Sequence, residues 1–193
     1  MADPFKSAIR NTMKQVRSNL SLTYGTASSK QICTRIRALE EYRYAKRIAL
    51  YHSVNGEIDL SAIWESAPLQ GKFCYFPVLQ EDLSLLFLPA TPVTVFKKNK
   101  YGIPEPDVSP DLAIDPDELD LIFIPLVAFD ARCNRLGMGA GCYDRTLANK
   151  KRCKLFGVGY QFQRIDFIEA NSWDIPLNAV ITQRAVYWRD AMA

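Results

Sequence analysis

The chain has 193 residues, 48% hydrophobic and 23% charged, a composition able to bury a single core without a metal or disulfide staple. No run approaches the roughly 20 apolar residues that a membrane span needs, and a lone histidine, His52, leaves no material for a His-based triad or a two-His metal centre. The net charge of +3 conceals a split: residues 1–50 hold ten Lys/Arg against three Asp/Glu, while residues 51–193 hold 14 against 18.

In chain order, the first predicted element is a helix over residues 4–20. Ile9, Met13, Val16 and Leu20 recur at helical spacing, and Lys6, Arg10, Lys14 and Arg17 form a basic stripe opposite them. A basic, nearly acid-free start also suits a mitochondrial transit peptide, but a folded helix accounts for the same residues. Within the stripe, Lys14 and Arg17 are expected to be solvated. A second helix is expected over residues 28–42, with Ile32, Ile36 and Leu39 inward and serines at its start suited to capping. Residues 48–53 read as a buried strand closed by the Asn55-Gly56 turn, and Asp59 is a candidate N-cap for a helix reaching residue 67.

Residues 72–79 and 83–88 are two apolar β-type runs separated by Gln80-Glu81-Asp82, the pattern of a hairpin. Residues 101–120 carry four prolines and seven acids with no Lys or Arg, which predicts an irregular surface crossing. Leu121-Ile122-Phe123-Ile124 reads as a strand covered on both faces, and residues 155–159 and 179–182 as further short buried strands. Strands alternating with helices predict one α/β domain of three layers over residues 1–193. The five scattered cysteines, with no C-x-x-C pair, are expected to be reduced and for the most part buried.

The segment richest in chemistry follows the 121–124 strand. Arg135-Leu136-Gly137-Met138-Gly139-Ala140-Gly141-Cys142-Tyr143-Asp144 sets three glycines at alternate positions before a helix start near Gly141. Glycine permits positive φ and close backbone approach, and free N–H groups at a helix start favour an anion, most naturally a phosphate. A tight turn without a ligand explains the glycines as well. Neither common nucleotide fingerprint fits: no Lys-Ser or Lys-Thr follows the glycines, and the dinucleotide pattern would need glycine at Cys142. Two neighbours favour phosphate. The Arg135 guanidinium suits bidentate contact with phosphate oxygens, and Asp144 could face a phosphate only with a divalent cation between them. A role for Asp144 at the helix dipole is the plainer alternative.

This run, preceded by Pro125-Leu126-Val127-Ala128-Phe129-Asp130 and followed by Trp173-Asp174-Ile175-Pro176-Leu177, resembles the 5-formyltetrahydrofolate cyclo-ligase family, also called 5,10-methenyltetrahydrofolate synthetases, and its bacterial branch most strongly. Gly56-Glu57-Ile58-Asp59 and Tyr101-Gly102-Ile103-Pro104-Glu105-Pro106 support the resemblance. It implies a three-layer α/β/α sandwich with a mixed, mainly parallel central sheet of Rossmann-like (NagB/RpiA-like) type, in a cytoplasmic monomer with neither nucleic acid nor membrane as partner. The implied reaction is an ATP- and Mg²⁺-dependent C–N ring closure of 5-formyltetrahydrofolate to 5,10-methenyltetrahydrofolate, releasing ADP and phosphate. The formyl oxygen would attack the γ-phosphate, and N10 would then add to the activated carbon as phosphate departs.

Carried over by position, Lys6, Arg10, Arg135, Leu136, Gly137, Met138, Gly139, Ala140, Gly141, Cys142 and Tyr143 would contact ATP, and Asp144 and Asp174 would hold Mg²⁺. His52 and Glu57, with Met138 through Cys142, would contact the folate, and Arg135, Tyr143 and Asp144 would be catalytic. Glu57 suits a pterin because a carboxylate accepts two hydrogen bonds from the 2-amino group and the adjacent N–H; without the resemblance it reads as an exposed turn residue. The chain departs from the family pattern at Leu126, Ala140 and Cys142, the last replacing a usual aromatic. Two other readings are a sugar-phosphate isomerase or CoA-transferase-like enzyme that needs no ATP, and a nucleic-acid-binding module using the basic helices, which the acidic remainder of the chain argues against.

Overall fold

The computed structural model describes residues 3–189. It begins with α1 (Pro4–Ser18), capped by the Asp3 carboxylate, which accepts from the backbone N–H groups of Phe5 and Lys6. Next come α2 (Leu22–Ala38) and α3 (Glu40–Tyr44). The single helix expected over residues 28–42 is thus longer at its start, where the Ser21 hydroxyl accepts from the Tyr24 N–H, and is broken at Leu39, whose ψ of 134° is extended.

The chain continues through β1 (Arg47–Ala49), α4 (Ser61–Ser66), β2 (Phe73–Leu79), β3 (Leu85–Ala90), β4 (Phe96–Lys98), β5 (Pro104–Pro106) and β6 (Leu121–Pro125). The last third holds β7 (Ala128–Phe129), β8 (Arg135–Leu136), α5 (Cys142–Leu147), β9 (Lys154–Val158), β10 (Ala179–Ile181) and β11 (Val186–Trp188).

Seven strands form one sheet in the order β11-β10-β9-β6-β1-β2-β3. The five central strands run parallel, and β11 and β3 pair antiparallel at the two edges, giving the mixed, mainly parallel sheet expected. The hairpin expected around residues 80–82 is the β2–β3 pair. The order reverses at β1, which has β2 on one side and β6 on the other. Chain segments leaving the carboxyl ends of β1 and β6 therefore diverge, and a crevice opens between them.

Side chains on these strands alternate between two cores. Ile48, Leu50, Leu121, Phe123, Phe156 and Ile181 face one side, where Ile32 and Ile36 of α2, Tyr42 of α3 and Ile63 of α4 cover them. Ala49, Ile122, Ile124, Leu155 and Val180 face the other, beneath Leu147 of α5, Phe129 of β7 and the loop residues Leu126 and Leu177. The continuous apolar run at residues 121–124 follows from this, since both faces are dry. The second outer layer is thin: α5 has six residues and loops supply the rest of the cover.

Several expectations need correction. The crossing at residues 101–120 is not wholly irregular, because β5 pairs with β4 in a small ribbon. Helix α4 starts two residues after Asp59, whose carboxylate accepts from the Ser61 N–H and hydroxyl instead of serving as the N-cap itself. The face assigned to α1 is also rotated: Val16 is 40% exposed, whereas Arg17, expected in solvent, is 2% exposed. Among the described residues no disulfide forms; Cys33, Cys74 and Cys133 are buried, and Cys142 and Cys153 are half-buried. Also among the described residues, no helix is long and apolar enough to cross a membrane.

Candidate active site

A cleft of about 1290 Å³ lies at the carboxyl ends of β1, β2 and β6, at the reversal point of the sheet. Residues after β1, the glycine-rich segment after β8, the α1 side chains Lys6 and Arg10, and residues 171–175 line it together. Every residue assigned to the site from the sequence, Lys6, Arg10, His52, Glu57, residues 135–144 and Asp174, borders this one cleft. Its volume exceeds the usual range for one small ligand.

Local bonding explains how the glycine segment is aimed. Strands β7 and β8 form a hairpin whose turn is built on Asp130: its carboxylate accepts from the N–H groups of Arg132 and Asn134, the Asn134 amide and the Ile168 N–H. Beyond it, Gly139 (φ 110°) and Gly141 (φ 68°) adopt positive φ that other residues resist. Gly139 also passes close to α1, where an added Cβ would lie 3.6 Å from Cζ of Arg10. Arg10 Nε donates to the Gly137 carbonyl at 2.9 Å, which pins the loop to α1.

The charges at this end are paired. Arg135 Nη2 donates to Asp144 Oδ1 at 2.7 Å, and its Nη1 donates to the Ile175 carbonyl. The Ile175 N–H donates to the same Asp144 oxygen at 2.9 Å. Asp174 Oδ2 accepts from the Asn171 N–H at 2.8 Å and its amide at 3.1 Å, with Lys6 Nζ 3.9 Å away. Arg135 is therefore engaged with Asp144 here and does not extend freely toward a phosphate. Among the described residues no group of three or more His, Cys, Asp and Glu side chains forms a metal cage. Asp144 Oδ2 and Asp174 Oδ1 accept no hydrogen bond among those residues. Two carboxylates, each with a spare oxygen, suit Mg²⁺, which keeps waters and takes further ligands from substrate phosphates.

The opposite end of the cleft is drier. His52 stacks on Phe76 at 4.6 Å between centroids, with Phe96 and Trp64 edge-on at 4.8 and 5.9 Å. Burial pushes the His52 pKa below its ordinary value, so the imidazole is neutral at pH 7. Glu57 is not the exposed turn residue that its Asn55-Gly56 context would give on its own: its side chain is 8% exposed. Oε2 accepts from the Val54 N–H at 3.2 Å, and Oε1 lies 3.5 Å from Nη1 of Arg17. Burial pushes the Glu57 pKa up, and the Arg17 guanidinium holds it down. The Tyr51 and Tyr143 phenols are both pushed well above their ordinary range, by burial first and by Glu57 second.

Sequence reasoning missed Arg17, Tyr51 and the β4–β5 ribbon. Glu105 of β5 accepts from the Leu79 N–H at 2.9 Å and the Asn99 amide at 2.7 Å, tying the ribbon and its Tyr101 loop to β2 at the cleft's edge. A signal for Arg17 was present: at about 100° per residue it projects between Lys6 and Arg10, the two stripe residues assigned to the site.

The profile described as the 5-formyltetrahydrofolate cyclo-ligase family matches residues 2–183. The chain is 40% identical to the 5-formyltetrahydrofolate cyclo-ligase of Haemophilus influenzae over 89% of its own length and 94% of the relative's. It is 35% identical to that of Escherichia coli K12 over 91% and 98%. Among solved structures, 5,10-methenyltetrahydrofolate synthetase from Aquifex aeolicus superposes with a TM-score of 0.84 at 30% identity, covering 95% of this chain and 92% of the other. The Mycoplasma pneumoniae synthetase gives 0.76 at 26% identity, covering 92% and 98%. A profile match along almost the whole chain and relatives similar over nearly their full length agree with the cleft: this chain belongs to the 5-formyltetrahydrofolate cyclo-ligase family.

Proposed function

We propose that the chain closes the ring of 5-formyltetrahydrofolate to give 5,10-methenyltetrahydrofolate, consuming ATP in the presence of Mg²⁺. The observation that carries this reading is the two-ended cleft, with a glycine loop, cations and two carboxylates at one end and the buried Glu57 carboxylate and the His52–Phe76 stack at the other. Mg²⁺ held by Asp144 and Asp174 would neutralise charge on the phosphates. Lys6 and Arg10 bring cations from α1 to the same end; Arg10 spends Nε on Gly137 and keeps its two terminal nitrogens for phosphate oxygens. The loop N–H groups and Arg135, held by Asp144, complete a charge-stabilising surface of the kind phosphoryl transfer requires.

At the other end Glu57 accepts hydrogen bonds from the pterin, and neutral His52 with Phe76 packs against rings of the folate. In this reading the formyl oxygen attacks the γ-phosphorus and ADP leaves. N10 then bonds to the activated carbon and loses its proton, and phosphate departs with the former formyl oxygen. No strong protein acid or base is needed, which agrees with a chain holding one histidine; ordering both substrates lowers the entropic part of the barrier.

The α1 stripe does not favour nucleic-acid binding, because Arg17 is buried and Lys6 and Arg10 face the cleft. The test is to mix the protein with 5-formyltetrahydrofolate and Mg-ATP and follow the near-ultraviolet absorbance of the methenyl product. Product should form only with ATP; turnover without ATP, or none with it, overturns the reading.

A further inference from the structure

The Arg17 guanidinium sits where three segments meet. It belongs to α1, lies 3.5 Å from Glu57 on the segment after β1, and reaches the Leu126 carbonyl, just after β6, at 3.5 Å. Its side chain is 1% exposed, yet Nε and Nη2 have no hydrogen-bond partner among the described residues. A buried guanidinium with two unmet nitrogens is a poor device for packing, since an apolar side chain would fill the same space without stranding donors. Its surroundings point to electrostatics. Among the described residues the titratable groups acting on or sensing Glu57 are Arg17 from α1, Tyr51 on its own segment, Tyr143 from α5 and Tyr160 after β9. Burial pushes the Tyr51 and Tyr160 phenols up, and Arg17 is the one cation of the set, 3.5 Å from the Glu57 carboxylate.

We infer that Arg17 is a positioning residue for folate binding: it holds Glu57 ionised and oriented in the dry end of the cleft so that the carboxylate can accept the hydrogen bonds of a ring bearing an amino group and an adjacent N–H. The inference rests on the reading of Glu57 as the pterin anchor. Without the guanidinium, only the Val54 N–H still opposes the effect of burial on Glu57, its pKa rises further, and a smaller fraction of the protein carries the carboxylate at a given pH. Among the described residues Arg17 makes no hydrogen bond or ion pair with the glycine loop, Asp144 or Asp174. Its loss should therefore weaken folate binding and spare ATP.

The experiment compares wild type, Arg17→Met, Arg17→Lys, Glu57→Gln and the double variant Arg17→Met/Glu57→Gln. It reads KM for each substrate from pH 6 to 8.5, and binding of 5-formyltetrahydrofolate without ATP by tryptophan fluorescence. Arg17→Met should raise the folate KM and Kd about tenfold at pH 7, more at pH 6 and less at pH 8.5, with the ATP KM within twofold of wild type. Arg17→Lys, which keeps the charge, should recover most of the loss. In the Glu57→Gln background, removing Arg17 should add no further change in folate affinity.

If Glu57→Gln weakens folate binding while Arg17→Met does not, the positioning role is overturned and the pterin anchor stands. If Glu57→Gln leaves folate binding unchanged, the anchor reading itself fails. If Arg17→Met raises both KM values equally at every pH, Arg17 merely holds α1 in place. Should Arg17→Met not fold, Arg17→Lys decides: a folate affinity as poor as that of Glu57→Gln, despite the retained charge and a native melting temperature, contradicts the inference.

Discussion

The two ends of the cleft solve the problem of holding charge in opposite ways. At the proposed phosphate end, Asp144 and Asp174 are a quarter or more exposed and share their partners among Arg135, Lys6, Asn171 and backbone N–H groups. At the proposed pterin end, Glu57 and Arg17 are nearly dry and depend on each other. Water reaches both carboxylates at the first end, although Arg135 itself is buried, whereas at the second both partners are buried and the loss of one strands the other. Substitutions at the phosphate end should therefore act mainly on turnover, and substitutions at the pterin end on stability and pH dependence as well.

The largest expected effect is at the phosphate end. Asp144→Ala removes a proposed Mg²⁺ ligand and the partner of Arg135, and should lower kcat by about a hundred- to a thousand-fold. Circular dichroism should stay native, and wild-type turnover in this variant would contradict the assignment. At the pterin end, Arg17→Met strands a buried carboxylate and should cost about 3–5 kcal/mol of stability, measured by denaturant unfolding. The sign of its pH dependence follows from Glu57. A carboxyl group whose folded pKa lies above its unfolded value binds its proton more tightly when folded, so the variant's deficit should shrink as pH falls through that folded pKa and widen as pH rises. A deficit independent of pH would separate Arg17 from Glu57.

Smaller effects sharpen the contrast. Arg10→Ala should raise the KM for ATP about tenfold and the KM for folate little; the reverse ranking would place Arg10 at the wrong end. Gly139→Ala forces a side chain into positive φ beside Arg10 and should cost about 1–2 kcal/mol, with a raised KM for ATP. The smallest effect belongs to Lys14, on the same helix as Arg10 and Arg17 and outside the cleft lining. Lys14→Ala should change stability by less than about 0.5 kcal/mol and neither KM.

The same contrast explains what the sequence reveals. The phosphate end is encoded locally: residues 135–144 supply the hairpin end, the positive-φ glycines and Asp144 in one stretch, so spacing alone points to it. The proposed pterin end is assembled from positions 17, 51, 57, 126, 143 and 160, which the sheet order β9-β6-β1 brings together with α1 and α5. Arg17 reads as solvated because an arginine opposite apolar helix positions usually is; its burial depends on the loop after β6, which no helical period encodes.

The central strands are legible because both their faces are apolar, and the β2–β3 hairpin because its turn is polar. Strands β4, β7, β8 and β11 are not legible. They are two or three residues long, and their pairing depends on side-chain anchors such as Glu105 and Asp130, distant from or outside the strand they stabilise.

The most direct test of the whole account follows one oxygen atom between the two ends. With ¹⁸O in the formyl group of 5-formyltetrahydrofolate, the protein and Mg-ATP should release one ADP per methenyl product, with the label recovered in inorganic phosphate. Label recovered in water, or product formed without stoichiometric ADP, would contradict an attack of the formyl oxygen on the γ-phosphate across this cleft.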